Sequence, residues 1–269
     1  MPKKWFRRRS LKNKLDDGIF KSIVRETREL LDRRFHLLAE EFDDISKTKF
    51  NPLLLLITAP VYNLFSPLEV AERLQLGKAF HGDDTAFGRF GEEKILPLFG
   101  AKDCEEKKRG KGKWEPIDKE VLIDGTRYLV SIKAGPWTMN QSHANAMIEK
   151  LPAIHKATSS PVVLGILYGK PEHLNNKPEL VARSMGHPDW FRYVVGRDFW
   201  EFVSGVRDVH IQLFRAIRQA QEEFAREHYD ETFHEKLVAN RLKIAASLRK
   251  VFDVGDDEDF WWTLFNNMF

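Results

Sequence analysis

The clearest chemistry in this sequence is a carboxylate and an ammonium placed on one predicted β-hairpin. Two β-rich runs flank Asp124-Gly125, and an Asp-Gly pair between such runs favours a two-residue type I′ turn. The register that this turn sets predicts Asp118 opposite Ser131 on the neighbouring strand. Since side chains alternate along a strand, Lys133 is expected on the same face as Ser131.

The opposite face of the hairpin is apolar and fixes its register, because a slip by one residue would bury the charged side chains. Asp118, Glu120 and Lys133 are therefore expected on a solvent-facing side, at the end away from the turn. Such a pair could work as a catalytic acid and base pair, or it could be a surface salt bridge of little consequence. The hairpin alone leaves both interpretations open. The residues of the apolar face are Val121, Ile123, Tyr128, Val130 and Ile132.

The elements around the hairpin predict an α/β protein. A helix over Thr85–Phe99 carries adjacent carboxylates, and Lys102–Lys113 is expected to be a basic loop or a mobile edge. After the hairpin come a helix over Ser142–Lys156 and an almost wholly apolar strand over Pro161–Tyr168, typical of a strand covered on both faces. Further helices are predicted at Asp17–Phe42, Leu68–Leu76, Val209–His228 and Thr232–Phe252.

This order of elements resembles the PD-(D/E)XK nuclease core of many Type II restriction endonucleases. Ser131–Asn140 (SIKAGPWTMN) is similar to an Ile-Lys-Ser-Gly-Pro stretch in one group of these enzymes, with Ala134 in place of the serine. Val194–Gly205 (VVGRDFWEFVSG) also resembles a segment that follows their core. The resemblance covers about Thr85–Gly205. It implies a restriction-endonuclease-like α/β core, a mixed sheet flanked by helices, with additional N- and C-terminal helices.

The resemblance also implies a site. Asp118 matches the metal-binding aspartate of these nucleases and Lys133 their lysine. Glu92 matches the acidic residue often supplied by the first helix, with Glu93 as its competitor. The implied cofactor is Mg²⁺, a hard cation that prefers oxygen ligands, and the carbonyl of Ile132 would be a further ligand.

Two positions depart from the family pattern. Pro116 is separated from Asp118 by Ile117, and Ser131 stands at the second acidic position. Some restriction enzymes with Ser-x-Lys place the glutamate on the following helix. Glu149, 16 residues after Lys133, could then be a metal ligand, or it could be a solvent-facing helix residue. Ser131 could hydrogen-bond a metal-bound water but supplies no charge.

The charge distribution is compatible with a polyanionic partner. The net charge is only +3, but basic residues crowd the N-terminus and the 102–113 stretch, as expected where phosphates are bound. A solvated surface loop is the alternative for that stretch. The candidate DNA-binding residues are Lys107, Lys108, Arg109, Lys111 and Lys113.

Other functional classes find little support. One cysteine excludes an internal disulfide framework and a multi-cysteine zinc site, so a cytoplasmic location is expected. No apolar stretch reaches the roughly 18 residues of a membrane span, which predicts no membrane partner. No GxxxxGK[ST] motif is present, so no nucleotide cofactor is expected.

The combined expectation is a Mg²⁺-dependent Type II restriction endonuclease acting on double-stranded DNA. A homodimer is expected, because two-fold symmetry matches a palindromic site. The alternatives are a repair or recombination nuclease of the same superfamily and a catalytically inactive DNA-binding protein. The predicted organisation is one elaborated domain over 1–269, with a nuclease core at 84–170 between helical regions at 1–83 and 171–269.

Overall fold

The computed structural model describes residues 11–37, 45, 52–109, 111–228, 233–255 and 260–266. The chain divides into two compact units. The first comprises Met1–Glu26 and Ala86–Gln219, and the second comprises Thr27–Thr85 and Ala220–Phe269. The first unit holds nearly all of the predicted nuclease core, and the boundaries drawn from the sequence stay a prediction.

The first unit is built on a mixed five-stranded sheet whose spatial order follows the chain, β1-β2-β3-β4-β5. The first three strands are antiparallel, whereas β3, β4 and β5 run parallel. With helices flanking it, this sheet confirms the predicted α/β class. The strands are β1 (Lys102–Asp103), β2 (Lys119–Ile123), β3 (Thr126–Lys133), β4 (Val162–Ile166) and β5 (Phe191–Val195).

The helices confirm most of the predicted elements and add several that the sequence pattern did not show. The apolar stretch 53–64 is mostly helical, and β5 lies in a region expected to be helical. The helices are α1 (Asp17–His36), α2 (Pro52–Tyr62), α3 (Pro67–Arg89), α4 (Glu105–Arg109), α5 (Lys111–Trp114), α6 (Gln141–Thr158), α7 (Lys177–Ser184), α8 (Arg197–Ser204), α9 (Val209–Glu227), α10 (Phe233–Phe252) and α11 (Phe260–Asn266).

The β2–β3 hairpin has the predicted turn and register except at its far end. Asp124 and Gly125 have φ values of 49° and 78°, as a type I′ turn requires. Lys119 pairs with Val130 in the predicted register. The amide of Asp118, however, donates to the same Val130 carbonyl at 2.8 Å. Asp118 and Lys119 thus both lie opposite Val130, as in a β-bulge. The predicted pairing of Asp118 with Ser131 is therefore wrong by one residue.

Strand β3 is buried on both faces, which corrects the expectation of an open, solvent-facing side. Leu129 and Ser131, on the predicted polar face, are buried like Val130 and Ile132 on the other face. Leu129 belongs to a core cluster that includes the buried stripe of α6. Helix α6 therefore covers the middle of the strand, and the functional residues lie at its end. The stripe consists of Ala144, Met147, Leu151 and Ile154.

The predicted helix over Thr85–Phe99 is not a separate element. Helix α3 continues without a break into a π-helical turn at Phe90–Ile95 and a 3₁₀ turn at Leu96–Phe99. The chain then turns at Gly100, which has a φ of 86°. Single π-helical turns often mark functional sites, and this one carries Glu92.

The stretch 102–113, expected to be a loop or a mobile edge, begins at the edge of the sheet and is not a loop. It contains the edge strand β1 and the short helices α4 and α5. Cys104 and Trp114 are buried in the same core cluster as Leu129, so apolar side chains anchor the stretch at both ends. The sequence did not indicate that Cys104 and Trp114 are buried, because most of the residues between them are charged.

The second unit has its own core, drawn from helices α2, α3, α10 and α11. Phe260 is buried there, whereas Trp262 is 65% exposed. The side chain of Phe265 and all of Phe269 lie outside the described residues. Among the described helices none alone is long and apolar enough to cross a membrane; Leu53–Tyr62 and Pro67–Lys78, bent by 102°, meet that test only as a pair.

Candidate active site

Asp118 is positioned by the bulge at the start of β2. Its Oδ2 accepts a hydrogen bond from the Ile132 amide at 2.7 Å, and its Oδ1 accepts one from Lys107 Nζ at 3.0 Å. The Asp118 side chain is 19% exposed and that of Lys107 is 35% exposed. One carboxylate oxygen is thus fixed by the backbone of β3, while the other is held by a partly exposed ammonium.

Glu92 lies within electrostatic range of Asp118. Burial, and next the negative charge of Asp118, raises the pKa of Glu92, whereas Lys119 and Lys107 act in the opposite direction. Glu92 is half-buried and Glu93 is exposed. Of the two adjacent glutamates, the structure therefore brings Glu92 to Asp118.

Lys133 is half-buried at the carboxyl end of β3, where its carbonyl accepts the Leu167 amide of the parallel connection at 3.0 Å. Partial desolvation, and next the charge of Lys133, lower the pKa of His143. Asp118 acts on His143 in the opposite direction. The imidazole of His143 thus lies within electrostatic range of both the predicted carboxylate and the predicted ammonium.

His143 is a site residue that sequence reasoning missed. It lies in the first turn of α6, where its amide donates to the side chain of the N-cap residue Asn140 at 2.9 Å. A lone histidine without a paired metal-ligand spacing carries no sequence signal. The sequence signal that could have identified His143 is its position in the first turn of the helix that follows the strand of Lys133.

The structure places the other candidate ligands less favourably. Ser131 is only 2% exposed, within the sheet, which leaves its hydroxyl little access to water. Glu149 is exposed on α6. Because each residue turns an α-helix by about 100°, Glu149 lies about 200° around the helix from Met147, which packs into the core. Glu149 therefore lies on the side of α6 that faces away from the core. Ile132 is adjacent to Asp118 through its amide, and its carbonyl as a ligand stays a prediction.

Of the predicted DNA-binding residues, the structure describes two side chains. Lys107 contacts Asp118 and so belongs to the site itself, while Lys113 is exposed. The side chains of Lys108, Arg109 and Lys111 lie outside the described part of the structure. Phosphate binding by this stretch stays a prediction.

The chemistry of the donor set fits a hard divalent cation. Asp118 and Glu92 are close enough for one carboxylate to disfavour ionisation of the other, and a cation between them would relieve that repulsion. Lys107 already supplies a positive charge at Asp118 Oδ1. Carboxylate oxygens with a backbone carbonyl nearby are the ligands that Mg²⁺ prefers.

Two other groups of metal-capable side chains occur among the described residues, and arginines neutralise both. Arg127 donates to both oxygens of Glu106, at 2.8 and 2.6 Å, and its Nε to a second glutamate at 3.0 Å. Arg197 donates to Glu201 at 3.1 Å. These groups are structural ion-pair networks at least in part, and they are separate from Asp118. They are Cys104–Glu106–Glu120 and Glu201–Asp208–His210.

Comparison with known proteins gives one family. The family model described as "Type II restriction endonuclease EcoO109I" matches residues 19–225, which is more than half of the chain. A search of the curated proteins found no match. The matched range includes the whole five-stranded sheet and all the residues of the candidate site.

Proposed function

The chain belongs to the Type II restriction endonuclease EcoO109I family, and from that premise we propose that it is a Mg²⁺-dependent endonuclease cleaving double-stranded DNA at a specific sequence. The observation that supports the proposal is the Asp118 carboxylate, which accepts a hydrogen bond from the amide of Ile132, the residue before Lys133, and whose charge raises the pKa of Glu92. It would act as the nuclease of a restriction-modification system. Family membership supports nuclease chemistry, and the donor set supports the choice of a hard cation.

In this proposal Asp118 and Glu92 would hold the metal, and the Ile132 carbonyl would be a third ligand. A bound Mg²⁺ supplies Lewis acidity, which lowers the pKa of a coordinated water and neutralises charge on the phosphate. The Ile132 amide fixes the orientation of the Asp118 carboxylate through a 2.7 Å hydrogen bond. This carboxylate is thus preorganised before the metal arrives.

Lys133 is assigned to the attacking water and to the phosphate. An ammonium at this place orients the water and stabilises the negative charge that develops on the phosphoryl oxygens. The carbonyl of Lys133 accepts a hydrogen bond from the Leu167 amide at 3.0 Å, so its backbone is held in the sheet. His143, with its pKa lowered by burial and by Lys133, is suited to accept a hydrogen bond from water there.

We assign the second carboxylate to Glu92 rather than to Glu93 or Glu149. The pKa of Glu92 responds to Asp118, while Glu93 and Glu149 are exposed. Because Glu92 comes from the π-helical turn before the sheet, it supplies the charge that Ser131 lacks. This arrangement favours an active enzyme over an inactive DNA-binding protein.

Cleavage of both strands of a palindromic site is most simply achieved by two copies of the chain. We therefore propose a homodimer, with one site of the kind described above acting on each strand. Residues of the 102–113 stretch would contact phosphates, since such contacts position the DNA without reading its sequence.

The test is digestion of a mapped phage DNA with and without Mg²⁺, using the wild type and the Asp118→Ala and Lys133→Ala variants. We expect discrete fragments from the wild type with Mg²⁺, and none from either variant. Lys156→Ala, an exposed lysine on α6, is the matched control and should cut normally.

The outcomes separate the alternatives. A smear in place of discrete fragments would favour a repair or recombination nuclease. Sequence-specific binding without any cleavage would favour an inactive DNA-binding protein. Wild-type rates in folded Asp118→Ala protein would overturn the site assignment.

A further inference from the structure

The loop between β3 and α6 exposes a tryptophan close to the candidate active site. Trp137 follows Lys133 by four residues and is 72% exposed. A side chain of this size loses much of its favourable burial energy when it stays in water. The mechanism proposed above makes no use of it.

The loop holds Trp137 outward on a braced backbone. Thr138 Oγ1 donates to the Gly135 carbonyl at 2.8 Å, and Asn175 Nδ2 donates to the Met139 carbonyl at 2.8 Å. A Cβ at Gly135 would collide with the ring of Tyr168, so the loop packs closely against the end of β4. The indole is therefore presented by a fixed loop and needs little ordering of the backbone to bind a partner.

The surroundings of Trp137 are polar. Its exposed neighbours along the chain include Thr138, Asn140 and Gln141, and Lys177 Nζ donates to Gln141 Oε1 at 2.8 Å. Tyr168, 48% exposed, packs on Gly135 of the same loop, but two rings among amides, hydroxyls and a lysine do not form the continuous apolar patch typical of a protein-binding surface. This surface suits duplex DNA, which offers sugars, base edges and phosphates.

The position of the loop along the sheet relates the ring to the reaction. Strands β3 and β4 are parallel, so Lys133 and the residues that follow it emerge at the carboxyl edge. The loop then leads into the first turn of α6, where the His143 amide donates to the side chain of Asn140. The loop thus runs from one candidate residue, Lys133, to another, His143, which lies within electrostatic range of Asp118.

We propose that Trp137 is a DNA-contacting residue that packs its indole ring against the sugars and base edges of the groove next to the scissile phosphate. This inference rests on the proposed nuclease function and adds a contact that holds the substrate in register with Asp118 and Lys133. Because the ring is already fixed in place, its loss should lower affinity for the cleavage site more than it alters the chemical step.

The experiment compares Trp137→Ala and Trp137→Phe with Trp262→Ala, which replaces a 65% exposed tryptophan of the second unit. Each is made in the Lys133→Ala background, which retains the carboxylates and is expected not to cut. Binding to short labelled duplexes with and without the mapped cleavage site is measured by fluorescence anisotropy in Mg²⁺. Tryptophan emission is recorded during the same titrations.

Trp137→Ala is expected to weaken binding to the cleavage-site duplex by roughly 10- to 100-fold, the range expected for truncation of a tryptophan that is buried at an interface. Trp137→Phe should recover most of that affinity but lose the DNA-dependent quenching of emission. Trp262→Ala should bind the duplex as tightly as the Lys133→Ala parent and should retain the DNA-dependent quenching of tryptophan emission.

Equal affinity of Trp137→Ala and Trp262→Ala for the cleavage-site duplex would overturn the inference while leaving the nuclease function intact. If Trp137→Ala fails to fold by circular dichroism, Trp137→Phe decides, and undiminished quenching in that variant overturns the inference. If the wild type neither binds nor cuts DNA, the proposed function itself is wrong and this inference falls with it.

Discussion

Replacing Lys107 with methionine removes the ammonium that contacts Asp118 Oδ1 at 3.0 Å. In the proposed mechanism a metal ion must bind this carboxylate, so Lys107 and the cation compete for one negative charge. Methionine keeps an unbranched side chain of similar length and eliminates the charge. We expect Mg²⁺ to bind the variant more tightly than the wild type in the absence of DNA.

The size of the effect follows from the exposure of the pair. The Lys107 and Asp118 side chains are 35% and 19% exposed, so water screens their attraction substantially, and such a pair is worth about 0.5–1 kcal/mol. Since 1.4 kcal/mol corresponds to a tenfold change in an equilibrium constant, the dissociation constant of Mg²⁺ should fall about two- to fivefold.

The assay is isothermal titration of the free protein with Mg²⁺. Lys113→Met changes an exposed lysine of the same basic stretch and should leave the Mg²⁺ affinity unchanged, which separates a local effect from a change in total charge. Asp118→Asn should greatly weaken binding. Unchanged or weaker Mg²⁺ binding by Lys107→Met would refute the reasoning that this lysine competes with the metal.

Further predictions concern the second carboxylate, the basic stretch, the sheet and the assembly. Glu92→Gln should abolish cleavage in Mg²⁺ while Glu149→Gln cuts at the wild-type rate; a plasmid assay showing the reverse would exchange their roles. Lys113→Gln should weaken binding to all duplexes alike and reduce the slope of log affinity against log salt by roughly 0.9 if one phosphate contact is lost; loss confined to the cleavage site would contradict phosphate binding. Hydrogen bonding to Arg127 lowers the pKa of Glu106 to about 2 from an ordinary 4.5. A carboxyl whose pKa is lowered in the folded state stabilises the fold at pH values above its pKa in the unfolded chain. Glu106→Gln should therefore cost about 1 kcal/mol at neutral pH, allowing for solvent screening, and the difference in urea unfolding should vanish as pH falls from 4.5 towards 2; a difference that persists at the lowest pH would point to packing. Sedimentation should give twice the 31.4 kDa chain mass, about 63 kDa, and a monomer that cuts both strands in one binding event would contradict the dimer.

Bound metal should also stabilise the first unit. Ligands that bind only the folded state raise its stability by mass action, so Mg²⁺ should raise the melting temperature of the wild type. Asp118→Asn removes a proposed ligand and should abolish that increase. An equal increase in both proteins would place the stabilising metal elsewhere.

The sequence by itself determined those parts of the protein that depend on neighbours along the chain. Asp124-Gly125 specified the hairpin turn, because both residues adopt positive φ, and alternating apolar residues set the register from there to Lys119. The apolar run of β4 was recognisable because a strand buried on both faces needs no polar positions. Lys133 was identifiable from its place on the second strand of the hairpin and from the SIKAGP segment that begins at Ser131.

Only the tertiary structure decided how the active site is completed. The bulge at Asp118 arises where the ladder of β2 ends and the carboxylate caps the Ile132 amide, which no local pattern encodes. Which glutamate meets Asp118 depends on how the π-helical turn packs against the sheet, so the sequence left Glu92 and Glu149 as competitors. The closeness of His143 to Lys133 likewise depends on where α6 covers the sheet. Local propensities act between residues a few positions apart, whereas these placements follow from packing between elements far apart in the chain, and for that reason only the folded structure reveals them.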